Sequence, residues 1–133
     1  MKNPLPVPRS GAVAVEFALT APILFLFVFA AVEFCGINVI RHTAANAAYE
    51  GARRGIVPGA TAADVQSIAT REMEAVGATG SRVTVDPSSI TAETRELSVT
   101  VEIPVSGNGW ITPFFYRRPS ITSTCLMVRE DYD

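Results

Sequence analysis

The feature that most limits what this chain can become is an apolar run of twenty residues, Val13 to Val32, in which only Glu16 and Thr20 are notably polar. At ~1.5 Å per residue, a helix of that length crosses the ~30 Å hydrocarbon core of a bilayer. Lys2 and Arg9 precede the run and no acid does. That flank predicts an N-terminus in the cytoplasm and export of everything beyond about Arg41. A cleaved secretory signal has a shorter apolar region, ~7–15 residues. A lipoprotein signal needs small residues before its cysteine, whereas Cys35 follows Glu33 and Phe34. An uncleaved anchor is the simplest alternative.

The chain has 133 residues, room for one small domain beside the span. Its formal charge is −2 and it shows no basic patch interleaved with aromatics, so nucleic acid is not an expected partner. One histidine, His42, and two cysteines, Cys35 and Cys125, give no metal-ligand spacing and no redox pair. His42 reads as a solvated interfacial residue and the cysteines as small packed side chains. With no nucleophile motif and no phosphate loop, the inventory predicts no enzyme, no catalytic residue, no metal and no cofactor.

Glu16 is the anomaly. It lies inside the apolar run, where a carboxylate near the bilayer centre costs ~2.5–3.5 kcal/mol on insertion scales and less toward the interface. An anchor gains nothing from that. A cut after Gly11 would change the account, because Ala12 would become a new N-terminus with Glu16 as its fifth residue. The freed amine is cationic below its ordinary pKa of ~8. Paired with Glu16 of a neighbouring subunit, it would set the axial stagger between helices. Pro22 removes one helical hydrogen bond, either as a passive kink or as a point of bending during assembly. Glu33, ~32 Å along the helix from Ala12, reads as a boundary residue at the outer interface, with a second intersubunit contact as the other possibility.

Gly11-Ala12-Val13-Ala14-Val15-Glu16-Phe17-Ala18-Leu19, followed by Ala21-Pro22, resembles the class III signal of type IV prepilins. In particular it resembles the TadE-like pseudopilins of tight-adherence (Flp) pilus systems. The stretch Ala44 to Arg54, with Ala47-Ala48-Tyr49-Glu50-Gly51-Ala52-Arg53-Arg54, is similar to that family too. The resemblance covers residues 9–55 closely. It implies cleavage by a prepilin peptidase between Gly11 and Ala12, with Glu16 and Phe17 as the recognition and assembly residues. It further implies a minor, pilin-like part in building a pilus, with other pilins and pseudopilins of the Tad/Flp machinery and the lipid bilayer as partners. The localisation implied is a single pass through a bacterial inner membrane with the C-terminal domain in the periplasm. A sister TadF-type role fits the same residues. The competing function is an uncleaved, membrane-anchored periplasmic binding module.

No proline occurs between Pro22 and Pro58, so one helix is expected over 12–55. Its membrane half would cover about 13–35 and its second half would project beyond. Residues 1–11 would be a cytoplasmic leader and 56–133 a periplasmic α+β domain. Two rows of small residues at four-residue spacing, Ala44-Ala48-Ala52 and Ala47-Gly51-Gly55, permit close packing, either against another helix or against the protein's own domain. Val57-Pro58-Gly59-Ala60 is a break. Thr61 and Asp64 then form a box-like start to a second short helix, whose stripe Val65, Ile68, Ala69, Met73 and Val76 should face a core. Gly77 and Gly80 end it. Three strands follow, at Arg82 to Asp86, Leu97 to Val105 and Ile121 to Val128, giving a small antiparallel sheet. Pro104 should sit at an edge or a ladder end. Between the last two strands lies an aromatic loop with Trp110, Phe114, Phe115 and Tyr116 beside Arg117 and Arg118. It could meet a partner pilin, hook into the membrane interface, or fold over the core.

Overall fold

The computed structural model describes residues 10–108 and 113–129. The first helix, α1, runs from Ser10 to Gly55 without a break, through Pro22. Its 46 residues make a rod ~69 Å long, and its two halves have different surroundings. From Val13 to Phe29, eleven large apolar side chains are exposed, from 48% at Val28 to 70% at Phe17, and they point in every direction around the axis. Full burial of such a side chain is worth about 1.5–3 kcal/mol, so this half is built for an apolar medium.

The second half has one buried face: Glu33, Gly36, Ile37, Ile40, Ala44, Ala47, Ala48, Gly51, Ala52 and Gly55. Their recurrence three or four residues apart, in places as neighbouring pairs, draws a single stripe along a 3.6-residue helix. The four alanines are fully buried. A Cβ added at Gly51 would lie 3.3 Å from both Ala69 Cβ and Val99 Cγ1, and one at Gly55 would overlap Leu97 Cδ2. Both rows of small residues therefore serve the protein's own core, bringing α1 down onto a second helix and a sheet.

That second helix, α2, spans Ala62–Ala75. Thr61 caps it with a full capping box: the Asp64 amide donates to Thr61 Oγ1 at 3.2 Å, and the Thr61 amide donates to Asp64 Oδ2 at 3.0 Å. Those two Thr61 donors, amide and hydroxyl, hold the Asp64 carboxyl below its usual range, and Arg54 adds to the effect. At the other end, Gly77 adopts a left-handed φ of +74°. The Ala78 amide donates to the Met73 carbonyl and the Gly77 amide to that of Glu74, the crossed pair that closes many helices. Val65, Ala69 and Met73 are buried as the stripe requires, but Val76 is 53% exposed. It occupies the C-cap position with φ −100° and ψ 7°. It has left the helical path, so its side chain no longer follows the stripe.

Strands β1 (Arg82–Asp86), β2 (Glu96–Pro104) and β3 (Ser120–Val128) form an antiparallel sheet in the order β1-β2-β3. The central strand buries Leu97, Val99, Val101 and Ile103 toward the helices. On its other face, the Thr100 and Thr124 hydroxyls meet across the ladder at 2.9 Å. Pro104 ends β2 opposite Ser120, beyond the last pairing with β1 at Glu102. It stands at a ladder end and needs no amide hydrogen there. The chain is thus α+β, with α1 laid across β2 and β3 and α2 against α1 and β1.

Gly51→Leu should destabilise the domain by about 1–3 kcal/mol through overpacking, while Ala45→Leu, on the exposed side of the same helix, should be close to neutral. Urea titration of the two full-length variants in detergent, followed by protease sensitivity, checks the difference.

Candidate functional site: an acid at each end of the apolar half

Two carboxylates bracket the apolar half of α1, and their settings are opposite. Glu16 is exposed on the helix, and its side chain has no hydrogen bond or ion pair among the described residues. The nearby Thr20 hydroxyl donates to the backbone carbonyl of Glu16, at 2.9 Å, and not to its carboxylate. Phe17 beside it is exposed as well. Gly11 and Ala12 are exposed and helical. A Cβ added at Gly11 would meet nothing within 4 Å, so packing among the described residues does not call for a glycine there. In a helix interior, glycine costs about 1 kcal/mol relative to alanine.

Glu33 is 4% exposed. Its place along α1 fits a boundary residue, but its carboxylate is not free to contact another subunit, because it is already engaged within the chain. Three consecutive backbone amides converge on it. The Phe114 amide donates to Oε2 at 2.9 Å, the Phe115 amide to Oε1 at 2.9 Å and Oε2 at 3.1 Å, and the Tyr116 amide to Oε1 at 2.6 Å. Successive amides pointing at one anion form a nest, and hydrogen bonds to an ionised acceptor are among the stronger ones. They offset the cost of taking this charge out of water.

This clamp joins residues more than eighty positions apart and fixes the described end of the aromatic loop, residues 114–116. Tyr116 is partly buried and packs against the core cluster that includes Ile37, Ile40 and Ile103. Phe114 turns outward and is 75% exposed, and Phe115 is 39% exposed. Trp110, grouped with them in the sequence, lies outside the described residues. The start of the loop is held separately. Asn108 accepts from the Thr79 amide at 2.7 Å and donates to the carbonyls of Thr79 and Pro104, each at 2.8 Å.

At the far end of α1, the Arg129 guanidinium donates to the carbonyls of Ile56 at 3.1 Å and Gly55 at 3.2 Å, and to that of Thr91 at 3.0 Å. A cation on the last carbonyls of a helix satisfies orphan acceptors and opposes the helix dipole. Cys35 and Cys125 are both free. Cys125 pairs with Val99, which packs at the level of Gly51. That is sixteen residues, or ~24 Å, along α1 from Cys35, far beyond disulfide reach. Among the described residues, no group of histidine, cysteine and acidic side chains could hold a metal.

Sequence reasoning missed the Glu33 clamp, although a signal existed. The stripe Ala44, Ile40, Ile37 continues back to position 33 at helical spacing, placing that acid on the domain-facing side. Nothing local marks the three amides as its partners, nor Arg129 as the cap of a helix that ends at Gly55.

A long helix with an apolar first half, a second half packed on a small antiparallel sheet, and an acid near its start with no partner among the described residues define an α+β protein with one helix long and apolar enough to cross a membrane. Residues 11–53 match the model of the TadE-like protein family, so that segment is similar to TadE-like proteins. No curated protein and no solved structure matches the chain.

Glu33→Gln should loosen the loop while leaving the sheet in place, because one charged double acceptor becomes a neutral amide with a donor facing donors. Amide hydrogen exchange should accelerate at Phe114, Phe115 and Tyr116 and stay unchanged at Val99 and Val101.

Proposed function

We propose that the chain is a minor pseudopilin of a tight-adherence (Flp) type IV pilus system. It is made as a precursor and cut by a prepilin peptidase between Gly11 and Ala12. The observation that carries this is Glu16, an acid on an all-round apolar helix surface with no partner among the described residues. It stands five positions after a glycine that packing does not call for. The match of residues 11–53 to TadE-like proteins supports the same reading, since the matched segment starts at that glycine.

In this account the leader stays in the cytoplasm, α1 crosses the inner membrane once, and the α+β domain lies in the periplasm. Cleavage exposes the Ala12 amine, cationic near neutral pH. It meets Glu16 of an adjoining helix in a medium where each charge needs the other. The pair fixes the relative height of neighbouring pilins or pseudopilins, and Phe17 packs beside it. The role is structural, since register between helices is what such a pair provides.

Material from the native host should have a mature N-terminus at Ala12 by mass spectrometry, and Gly11→Leu should retain the leader. Glu16→Gln should insert into the membrane normally yet lose pilus assembly. A wild-type chain still beginning at Met1 would point instead to an uncleaved anchor carrying a periplasmic binding module, and full piliation by Glu16→Gln would refute the charge-pair mechanism.

A further inference from the structure

Glu33 fixes the loop segment 113–118 at a particular height, the level on α1 where a surface exposed on every side gives way to one that packs against the domain. At ~1.5 Å per residue, Glu33 stands ~26 Å above Glu16, where an apolar helix starting near Val13 leaves the hydrocarbon. The loop is therefore the part of the domain nearest the bilayer, and its two sides differ. Tyr116 packs against the core. Phe114 and Phe115 face away from it, their rings edge to face with centroids 5.1 Å apart. Arg117 and Arg118 follow immediately, both exposed. Phe34, adjacent to Glu33 on α1, is 51% exposed, so the exposed apolar surface of the helix reaches the level of the clamp.

We propose that Phe114, Phe115, Arg117 and Arg118 form a membrane seat. The rings enter the boundary between headgroups and acyl chains, and the two guanidinium groups bind phosphates of anionic phospholipids in the leaflet from which α1 emerges. This rests on α1 spanning the bilayer. Three observations choose lipid as the occupant: the clamp sets the height, the exposed apolar surface of α1 reaches that height, and two adjacent cations complement an anionic headgroup layer. Phenylalanine on one side with arginine on the other is the pattern of segments that lie in the membrane interface, and arginine forks suit phosphate oxygens. Glu33 acts here as a positioning residue: it touches no lipid, and by holding three amides it aims the rings outward. With α1 as one attachment and the seat as a second, the domain would be held at a fixed tilt and rotation about the helix axis.

Spin-label depth measurements on the full chain test this. In a Cys35→Ser, Cys125→Ala background, single labels are placed through Leu24→Cys, Phe114→Cys and Val57→Cys, and the protein is reconstituted into bilayers of phosphatidylcholine with or without phosphatidylglycerol. The Leu24 label should collide freely with oxygen and little with a water-soluble nickel complex. The Val57 label, beyond the far end of α1, should do the reverse. The Phe114 label should report an interfacial depth that increases with phosphatidylglycerol, and Arg117→Gln with Arg118→Gln should abolish that increase. A Phe114 label as open to nickel as Val57, with Leu24 still in the acyl region, would overturn the seat. So would a Phe114 label immobilised and shielded from both reagents, which would put a protein partner on the patch. A Leu24 label open to nickel would overturn the spanning helix itself, and the seat with it.

Discussion

Everything in this fold depends on one helix with two kinds of surface. The first half of α1 is apolar around its whole circumference, and from Glu33 onward only one stripe is. The stripe is made mainly of alanine and glycine, because a rod must come close to a sheet if a domain this small is to bury β2. Larger residues would hold α1 off. Fully buried Ala44, Ala47, Ala48 and Ala52 let the backbone of α1 lie against Val99, Val101 and Ile103, so much of the domain's core is the underside of its own projecting helix. The domain boundary suggested by the break at Pro58 is therefore a boundary in the chain and not in the packing.

The two acids on α1 show how the same group acquires different roles from its surroundings. Glu33 has its needs met internally by three amides, which turns a charge that would otherwise be costly to bury into a fastening between the start of the domain and a loop near its end. Glu16 has no such partner among the described residues, and its need stays open. Arg129 adds a second fastening by closing the last carbonyls of α1. The helix is thus tied to the C-terminal part of the chain at both ends of its domain-facing half.

Much of this was legible in the residues. The span, the helix continuing to Gly55, the Thr61–Asp64 box and the three strands all rest on local spacing, which a sequence displays directly. What depended on distant partners was not. The small rows on α1 were visible, but whether they met another subunit or the chain's own sheet required knowing that Leu97 and Val99 lie beneath Gly51 and Gly55. The aromatic loop looked like one unit, yet the Glu33 clamp splits it, sending Tyr116 inward and Phe114 outward. Val76 fitted the stripe of α2 by number and left it in space because the helix closes one residue earlier. Glu16 was conspicuous because its cost is local.

The central claim is that α1 changes solvent at Glu33, from lipid on all sides to domain on one. Single cysteines placed along α1 and probed with a membrane-impermeant maleimide in intact membranes test it most directly. From Phe17 to Phe29 no position should be labelled, whichever way it faces. Beyond Glu33, Val39, Ala45 and Tyr49 should be labelled while Ile37, Ile40, Ala44 and Ala48 are not. Labelling within 17–29, or labelling beyond 33 that ignores the buried stripe, would contradict the account.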